Sequence, residues 1–72
     1  MNFKSIRYFI TMAHCMSFTQ AANKHHITQT AMSRYIASLE EQVGVRLFER
    51  SSRKVALTEA GRVFAEGMEK ML

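Results

Sequence analysis

Two helical segments separated by only a few residues are the feature that most limits what this chain can fold into. They occupy Ser17 to Gly44, in the stretch SFTQAANKHHITQTAMSRYIASLEEQVG. The first opens with a capping box, in which Ser17 is followed three residues later by Gln20. The second opens at ITQT, where Thr28 is placed as the cap. Two helices joined by so short a turn predict a helix-turn-helix.

The lengths of these two helices follow from their apolar spacing and from the residues that end them. We expect the first to run to about Lys24 or His25, and the second from about Gln29 to Gln42. Gly44 is placed to end the second helix, because glycine adopts the left-handed conformation of a helix C-terminus without strain. A buried stripe at helical spacing runs along the second helix and consists of Met32, Ile36, Leu39 and Val43.

Another helix is predicted before this pair. Residues 3–14 have the pattern of an amphipathic helix, with Asn2 placed as its cap. Its apolar stripe is predicted to consist of Phe3, Ile6, Ile10 and Ala13, with Phe9 beside it.

A change of pattern after the third helix predicts a hairpin. Two short apolar segments, Leu47–Phe48 and 55–57, flank the basic sequence ERSSRK, and the second segment alternates as a strand does. Thr58 is then placed to cap a last helix, whose predicted apolar stripe is Ala60, Val63, Phe64, Met68 and Met71. The layout is mainly α, a winged helix-turn-helix with a three-helix core and a two-stranded wing.

Acidic residues are confined to the second half of the chain. All six lie at or after position 40, whereas residues 1–39 hold Lys4, Arg7, Lys24 and Arg34 and no acid. The net charge of +4 therefore belongs to the first half, because the six bases of the second half balance its six acids. An anionic partner is the natural inference, and nucleic acid is the leading candidate.

Length and composition allow one small domain. A chain of 72 residues buries only a thin core, so a second chain packed against it would add stability. No apolar run is long enough for a transmembrane helix, and Lys4 and Arg7 interrupt the apolar residues that a signal peptide needs. The single cysteine, Cys15, excludes a disulfide within the chain and fits a reducing compartment. We therefore expect a cytoplasmic protein with no membrane partner.

The histidines and the cysteine do not form a metal-binding pattern. His25 and His26 are adjacent and point in different directions, and neither a cysteine pair nor a His-x-x-x-His spacing is present. We expect no metal and no cofactor. Cys15 is interpreted as a small buried apolar residue, with a redox sensor as the alternative. An enzyme is not indicated, because no paired carboxylates lie near a histidine and the acids have ordinary surface spacing on helices.

The start of the third helix is the segment best suited to contact DNA. A helix N-terminus has free backbone N–H groups and a partial positive charge, which suit phosphate. Glutamine pairs bidentately with adenine, while serine and threonine serve several bases. Acid is absent from this helix until Glu40, away from the end where phosphate would repel it. The residues expected at the interface are Thr28, Gln29, Thr30, Ser33 and Arg34, with Ala37 small enough to let the helix lie close.

The basic tip of the hairpin is a second candidate contact. It carries Arg50, Arg53 and Lys54. A basic loop held between two strands lies along a sugar-phosphate backbone or enters a minor groove. Phosphate contacts there would supply affinity, whereas base contacts near Gln29 and Ser33 would supply sequence choice.

Plainer interpretations stand beside these. In these interpretations, the polar residues of the third helix form only a solvated face, and the tip arginines are ordinary surface charge. Ser17 and Thr28 then act only as caps. A rival function is a protein-interaction winged helix that holds a partner with the same face. Steep salt dependence of binding to DNA favours the first function, whereas salt-insensitive binding to a protein favours the rival.

Three longer motifs carry more information than these patterns. SFTQAA, TQTAMSRYIASLEEQVGVRLFER and VALTEAG occur in this order, and with this spacing the chain resembles the N-terminal DNA-binding domain of LysR-type transcriptional regulators. The resemblance runs from about Phe3 to Leu72. It implies sequence-specific binding of double-stranded promoter DNA by a bacterial transcription regulator.

The resemblance also implies a set of contacts and a division of the chain. The family's DNA-contacting positions correspond to Ser17, Thr19, Thr28, Gln29, Thr30, Ser33, Arg34, Arg50 and Arg53. Residues 1–58 would form the winged helix-turn-helix, and 59–72 the start of a linker helix that pairs with its counterpart in a dimer or tetramer. Family members sense a small-molecule inducer through a separate C-terminal domain. This chain is accordingly interpreted as an excised DNA-binding module, expected to form a homo-oligomer and to respond to an inducer only through that domain.

Two positions depart from the family pattern. Thr30 stands where proline is usual, so the start of the third helix keeps an N–H and gains a hydroxyl. Met16 stands where glycine is frequent, directly before the cap of the second helix. The first departure bears on the rigidity of the helix start and on base preference, and the second bears on the turn geometry before Ser17.

Overall fold

The computed structural model describes residues 2–51 and 54–71. Its elements are α1 (Phe3–Cys15), α2 (Phe18–Lys24), α3 (Gln29–Val43), β1 (Phe48–Arg50), β2 (Val55–Leu57) and α4 (Glu59–Met71). The two strands pair antiparallel, with Phe48 opposite Leu57 and Arg50 opposite Val55. The predicted mainly helical, winged helix-turn-helix layout is confirmed. None of the helices in the described ranges is both long and apolar enough to cross a membrane.

Every helix starts at the polar cap that the sequence predicts. The cap side chain accepts a hydrogen bond from the backbone N–H three residues further on, which satisfies a donor that the helix leaves free. The donor-to-acceptor distances are 2.8 Å at Asn2, 3.1 Å at Ser17, 3.0 Å at Thr28 and 2.9 Å at Thr58. These starts are decided by local sequence.

Left-handed backbone conformations separate the helices. Gly44 ends α3 with φ 84°, as predicted. Met16 ends α1 with φ 51°, and His26 lies between α2 and α3 with φ 57°. A side chain at such an angle is crowded by the following carbonyl oxygen, so Met16 holds a conformation that glycine adopts freely.

The core lies between α1, α2 and α3 and is closed by α4 and the wing. Phe9 of α1 is at its centre: its ring lies 5.5 Å from that of Phe48 in β1 and 5.1 Å from that of Phe64 in α4. The stripe predicted for α3 is confirmed, since Met32, Ile36 and Leu39 are buried and Val43 is half-buried.

The apolar stripe predicted for α1 is confirmed for Phe9, Ile10 and Ala13, which are buried or pack against the core, and was wrong for Phe3. Tyr8, Phe9 and Met12 are buried, whereas Phe3 is 62% exposed. The other predicted members, Ile6, Ile10 and Ala13, are half-buried. The amphipathic ring of Tyr8 points inward because it packs edge-on against His25 and Tyr35, a contact that apolar spacing within one helix does not reveal.

The single stripe predicted for α4 divides into two faces. Gly61 and Ala65 are buried and Phe64 is half-buried against the core, whereas Ala60, Val63 and Met71 are exposed. The inward face carries small residues because the backbone of α4 lies against that of Leu47. Among the residues of the predicted stripe, Ala60, Val63 and Met71 are the exposed ones.

The surface position predicted for Glu40 was also wrong. Its carboxylate is buried, and Oε2 accepts hydrogen bonds from the backbone N–H groups of Leu47 at 2.8 Å and Phe48 at 3.0 Å. The guanidinium Nε of Arg46 lies 3.8 Å from the same oxygen. This carboxylate joins the end of α3 to the start of the wing, so the wing has a defined position beside the helix.

Candidate nucleic-acid interface

The N-terminal ends of α2 and α3 meet beside the wing. An open cleft there is bordered by the cap residue Ser17, by Gln29 at the start of α3, and by Ser51 and Lys54 of the wing. Across the two helices, the hydroxyl of Thr19 donates to Oε1 of Gln29 at 3.3 Å. The fold thus brings together three predicted contacts, Ser17, Thr19 and Gln29, that belong to two different helices.

The outer face of α3 carries the remaining predicted contacts of this helix. Thr28, Thr30 and Arg34 are exposed and border a second open cleft together with Tyr35 and Ser38. Ser33 is half-buried and Ala37 is exposed, on the edge of this face nearer the wing. All the residues predicted at the start of α3 therefore lie on, or at the edge of, one solvent-facing surface.

The electrostatics of this surface favour an anion. The first turn of α3 contains no acid, and the helix dipole adds partial positive charge at the same end. Glu40 is turned inward towards the wing. The acid-free start predicted for this helix is therefore confirmed, and the carboxylate of Glu40 is also removed from the surface.

Arg50 has a contact that the sequence did not indicate. Its guanidinium carbon lies 4.3 Å from the ring centroid of Phe18, the first residue of α2. Such a stacked guanidinium contributes packing as well as charge. The contact ties the wing to α2. Arg53, the other arginine predicted in the wing, lies outside the residues that the structure describes.

Lys4 is a cation near this surface that was not among the predicted contacts. Its ammonium lies 5.7 Å from the ring centroid of Tyr35 and 6.0 Å from that of Tyr8. The two rings are themselves T-shaped at 4.7 Å. Tyr35 borders the cleft that contains Thr30 and Arg34, whereas Gln29 borders the cleft beside the wing. Lys4 therefore lies near the first of these clefts. The four-residue spacing of Lys4 and Tyr8 on one helix is the signal that indicates their contact.

The turn between α2 and α3 is held by His25. Its Nε2 lies 2.8 Å from the hydroxyl oxygen of Thr11, and its ring packs edge-on against Tyr8 at 4.6 Å. Burial lowers the pKa of His25, and the positive charges of Arg7, His26 and Lys24 lower it further. The neutral imidazole that results at pH 7 is a packing group of the turn.

Metal ligands do not gather in the described part of the chain. Within residues 2–51 and 54–71, no group of three or more His, Cys, Asp or Glu side chains is arranged to hold a metal ion. Cys15, interpreted from the sequence as a small buried apolar residue, is half-buried.

The family of the chain is decided by comparison with known proteins. Residues 3–62 match the family described as bacterial regulatory helix-turn-helix protein, lysR family. The chain belongs to the lysR family. Among its relatives, the transcriptional regulator TfdT of Cupriavidus pinatubonensis is 39% identical over all 72 residues, and the Hca operon transcriptional activator HcaR of Escherichia coli is 46% identical over 66 residues. The match covers 32% of TfdT and 22% of HcaR.

Solved structures of the lysR family agree with the fold. The DNA-binding domain of BenM, crystallised with catB site 1 DNA, superposes with a TM-score of 0.93 at 41% identity, covering 99% of this chain and 80% of that one. The DNA-binding domain of CbnR in its DNA complex gives 0.93 at 37% identity, covering 99% and 82%. The chain is thus a winged helix-turn-helix domain of the lysR regulator family. It spans 22% to 43% of the length of the first curated relatives.

Proposed function

We propose that this domain binds double-stranded DNA sequence-specifically as part of a bacterial transcription regulator. The N-terminal end of α3 enters the major groove, and the wing lies on the backbone or in the minor groove. The observation that carries the proposal is the exposed, acid-free start of α3, which meets the start of α2 and the basic wing in one cleft. The BenM and CbnR domains, solved as DNA complexes, support it.

The dimensions of the groove suit this placement. The major groove of B-DNA is about 12 Å wide and admits one α-helix, so phosphates line both sides of an inserted helix. Arg50 and Lys54 border clefts shared with Ala37 and Gln29 of α3, and Lys4 lies beside Tyr35 of the same helix. Cations near these different parts of α3 match a helix that lies between two sugar-phosphate strands.

The proposed roles divide between bases and backbone. Gln29 and Ser33 contact base edges, Arg34 contacts a phosphate or a guanine, and Thr30 lies at the same helix start. Backbone N–H groups near Ser17 and Thr28 face phosphates in addition to being capped. Arg50 and Arg53 contact the backbone from the wing. Thr19 belongs to the same interface, and its role is developed in the next section.

Selection from a random DNA pool, followed by fluorescence-anisotropy titration, tests the proposal. Gln29→Ala and Ser33→Ala should each relax base preference at one position. Gln42→Ala, at the exposed far end of α3, is the matched control and should leave the preference unchanged. Preference that is unchanged after Gln29→Ala would refute the role of this residue. Salt-insensitive binding to a protein, without DNA binding, would favour the protein-interaction alternative.

We further propose that α4 pairs with its counterpart in a second copy. Residues 59–72 would then begin a linker helix, and residues 1–58 form the winged helix-turn-helix. Three apolar side chains support the pairing because they are exposed on the outward face of α4: Ala60, Val63 and Met71. Two-fold symmetry predicts an inverted-repeat operator with half-sites about 34 Å apart, or a multiple of that distance. A monomer at high concentration in analytical ultracentrifugation would contradict the pairing.

The whole regulator is proposed to act in the cytoplasm. The relatives are longer than this chain, so a response to a small-molecule inducer would belong to a further C-terminal domain. No cofactor is proposed for DNA binding itself.

A further inference from the structure

Thr19 and Gln29 are linked, side chain to side chain, across the two helices of the helix-turn-helix. The hydroxyl of Thr19 donates to Oε1 of Gln29 at 3.3 Å, and both residues are exposed. Thr19 lies in the first turn of α2, and Gln29 is the first residue of α3. A hydrogen bond between two solvated side chains adds little to stability, because water replaces it readily. Its main consequence is the direction in which the amide of Gln29 points.

That direction decides what Gln29 offers to a base. A threonine hydroxyl has one hydrogen to donate, whereas a glutamine amide has one carbonyl oxygen and two N–H donors. A glutamine without this constraint pairs with adenine through both groups, its oxygen accepting from N6 and its nitrogen donating to N7. When the oxygen of Gln29 accepts from Thr19, one of its two lone pairs is occupied, and the amide nitrogen keeps both of its hydrogens free for a base.

We infer that Thr19 is a positioning residue that makes Gln29 a hydrogen-bond donor towards DNA. This inference rests on the proposed function and specifies the base edge at one position. Guanine presents two neighbouring acceptors, N7 and O6, in the major groove, and thymine presents O4. Adenine loses the second hydrogen bond of its bidentate pair, and cytosine presents a donor that faces the donors of Gln29. The domain therefore prefers guanine over adenine at the position that Gln29 contacts.

Thr19→Val is the main test, because valine has nearly the volume of threonine and no hydroxyl. The amide of Gln29 is then free to pair with adenine. The ratio of guanine to adenine affinity at that position should fall roughly tenfold, within the range of one bidentate pair. Thr19→Ser keeps the hydroxyl and should keep the wild-type ratio. The position is first located by random-pool selection with wild type and Gln29→Ala, and the ratio is then measured by anisotropy on four duplexes that differ only there.

A double variant separates positioning from direct contact. In a Gln29→Ala background, Thr19→Val should cause no further change in base preference, because the group through which it acts is absent. Equal weakening of all four duplexes by Thr19→Val would show that Thr19 contacts phosphate, and would overturn the inference. A Thr19→Ser variant that behaves like Thr19→Val would overturn it too. Circular dichroism checks folding, and Thr19→Ala is a second variant without the hydroxyl.

The outcome also distinguishes this inference from the proposed function. A wild-type domain without base preference at any position would refute the proposed function. A wild-type domain that has a base preference which Thr19→Val leaves unchanged would overturn only the role of Thr19.

Discussion

Gly61 of α4 packs directly against the backbone carbonyl of Leu47, with no room for a Cβ between them. The side chain of Leu57 closes the same space at 2.9 Å from the position a Cβ would occupy. Since Leu47 immediately precedes the wing, this contact sets the distance between α4 and the start of the wing. α4 and the start of the wing therefore share one close backbone approach.

Replacing Gly61 by alanine should destabilise the domain. The added methyl group meets a carbonyl that belongs to the backbone, and overpacking of this kind costs about 1–3 kcal/mol. Urea unfolding followed by circular dichroism measures the change in the free energy of unfolding. Gly67→Ala is the matched control on the same helix, because a Cβ there meets nothing within 4 Å. This control should be stabilising by about 0.5–1 kcal/mol, and equal effects of the two changes would contradict the packing argument.

Glu40→Ala should destabilise the domain through the wing. The change leaves the backbone N–H groups of Leu47 and Phe48 without their buried acceptor, at a cost of about 2–3 kcal/mol. Its exposed neighbour provides the control, and Glu41→Ala should stay within about 0.5 kcal/mol of wild type. Denaturant unfolding of the three proteins compares the two positions. A Glu40→Ala protein as stable as Glu41→Ala would show that the carboxylate does not hold the wing.

The effect of a substitution at Met16 on the free energy of unfolding should depend on which residues tolerate the left-handed backbone there. Both Met16→Gly and Met16→Ala remove the same partly buried side chain, but only glycine relieves the left-handed backbone at φ 51°. The glycine variant should therefore be more stable than the alanine variant by about 1 kcal/mol. The two free energies of unfolding give this difference directly. An alanine variant that equals or exceeds the glycine variant would count against backbone strain at this turn.

Stability should fall as the pH is lowered through the titration of His25. Its pKa in the folded chain lies below the ordinary value of 6.5, because burial and the neighbouring positive charges disfavour the imidazolium. Between these two pKa values the unfolded chain binds more protons than the folded chain. The contribution of His25 to the free energy of unfolding is therefore complete above about pH 6.5 and is lost as the pH falls below it. Urea midpoints between about pH 7.5 and 5.5 measure the slope. His25→Gln should remove this contribution to the slope, whereas His26→Gln should reduce it only in part, because His26 is one of several charges that lower the pKa of His25; equal slopes in all three proteins would exclude His25 as the cause.

Arg50 is expected to contribute to DNA affinity by charge and by packing. Arg50→Ala should weaken binding to all sequences alike and lower the salt slope by about 1. Arg50→Lys keeps the charge but loses the guanidinium that lies over the ring of Phe18, so it should keep the salt slope while binding more weakly than wild type. Anisotropy titrations over a range of salt concentrations measure both quantities. A change in base preference at either variant would argue against a backbone contact.

Much of the architecture was predictable because its causes are local. Asn2, Ser17, Thr28 and Thr58 start their helices by accepting from a backbone group three residues away, and Gly44 ends α3 through its own conformation. The absence of acid at the start of α3 is likewise a property of the sequence. The assignment of DNA contacts to individual residues, including Arg53, stays a prediction.

What the sequence by itself determined is the order and type of the elements, because capping and helical periodicity act within a few residues. Only the tertiary structure decided which faces are covered, since a helix has more than one apolar side and the choice depends on distant neighbours. Tertiary contacts decided three features: the inward position of Tyr8, the division of the apolar residues of α4, and the burial of Glu40 beside the wing. The bond between Thr19 and Gln29 is another, because it forms only where the turn brings the starts of two helices together.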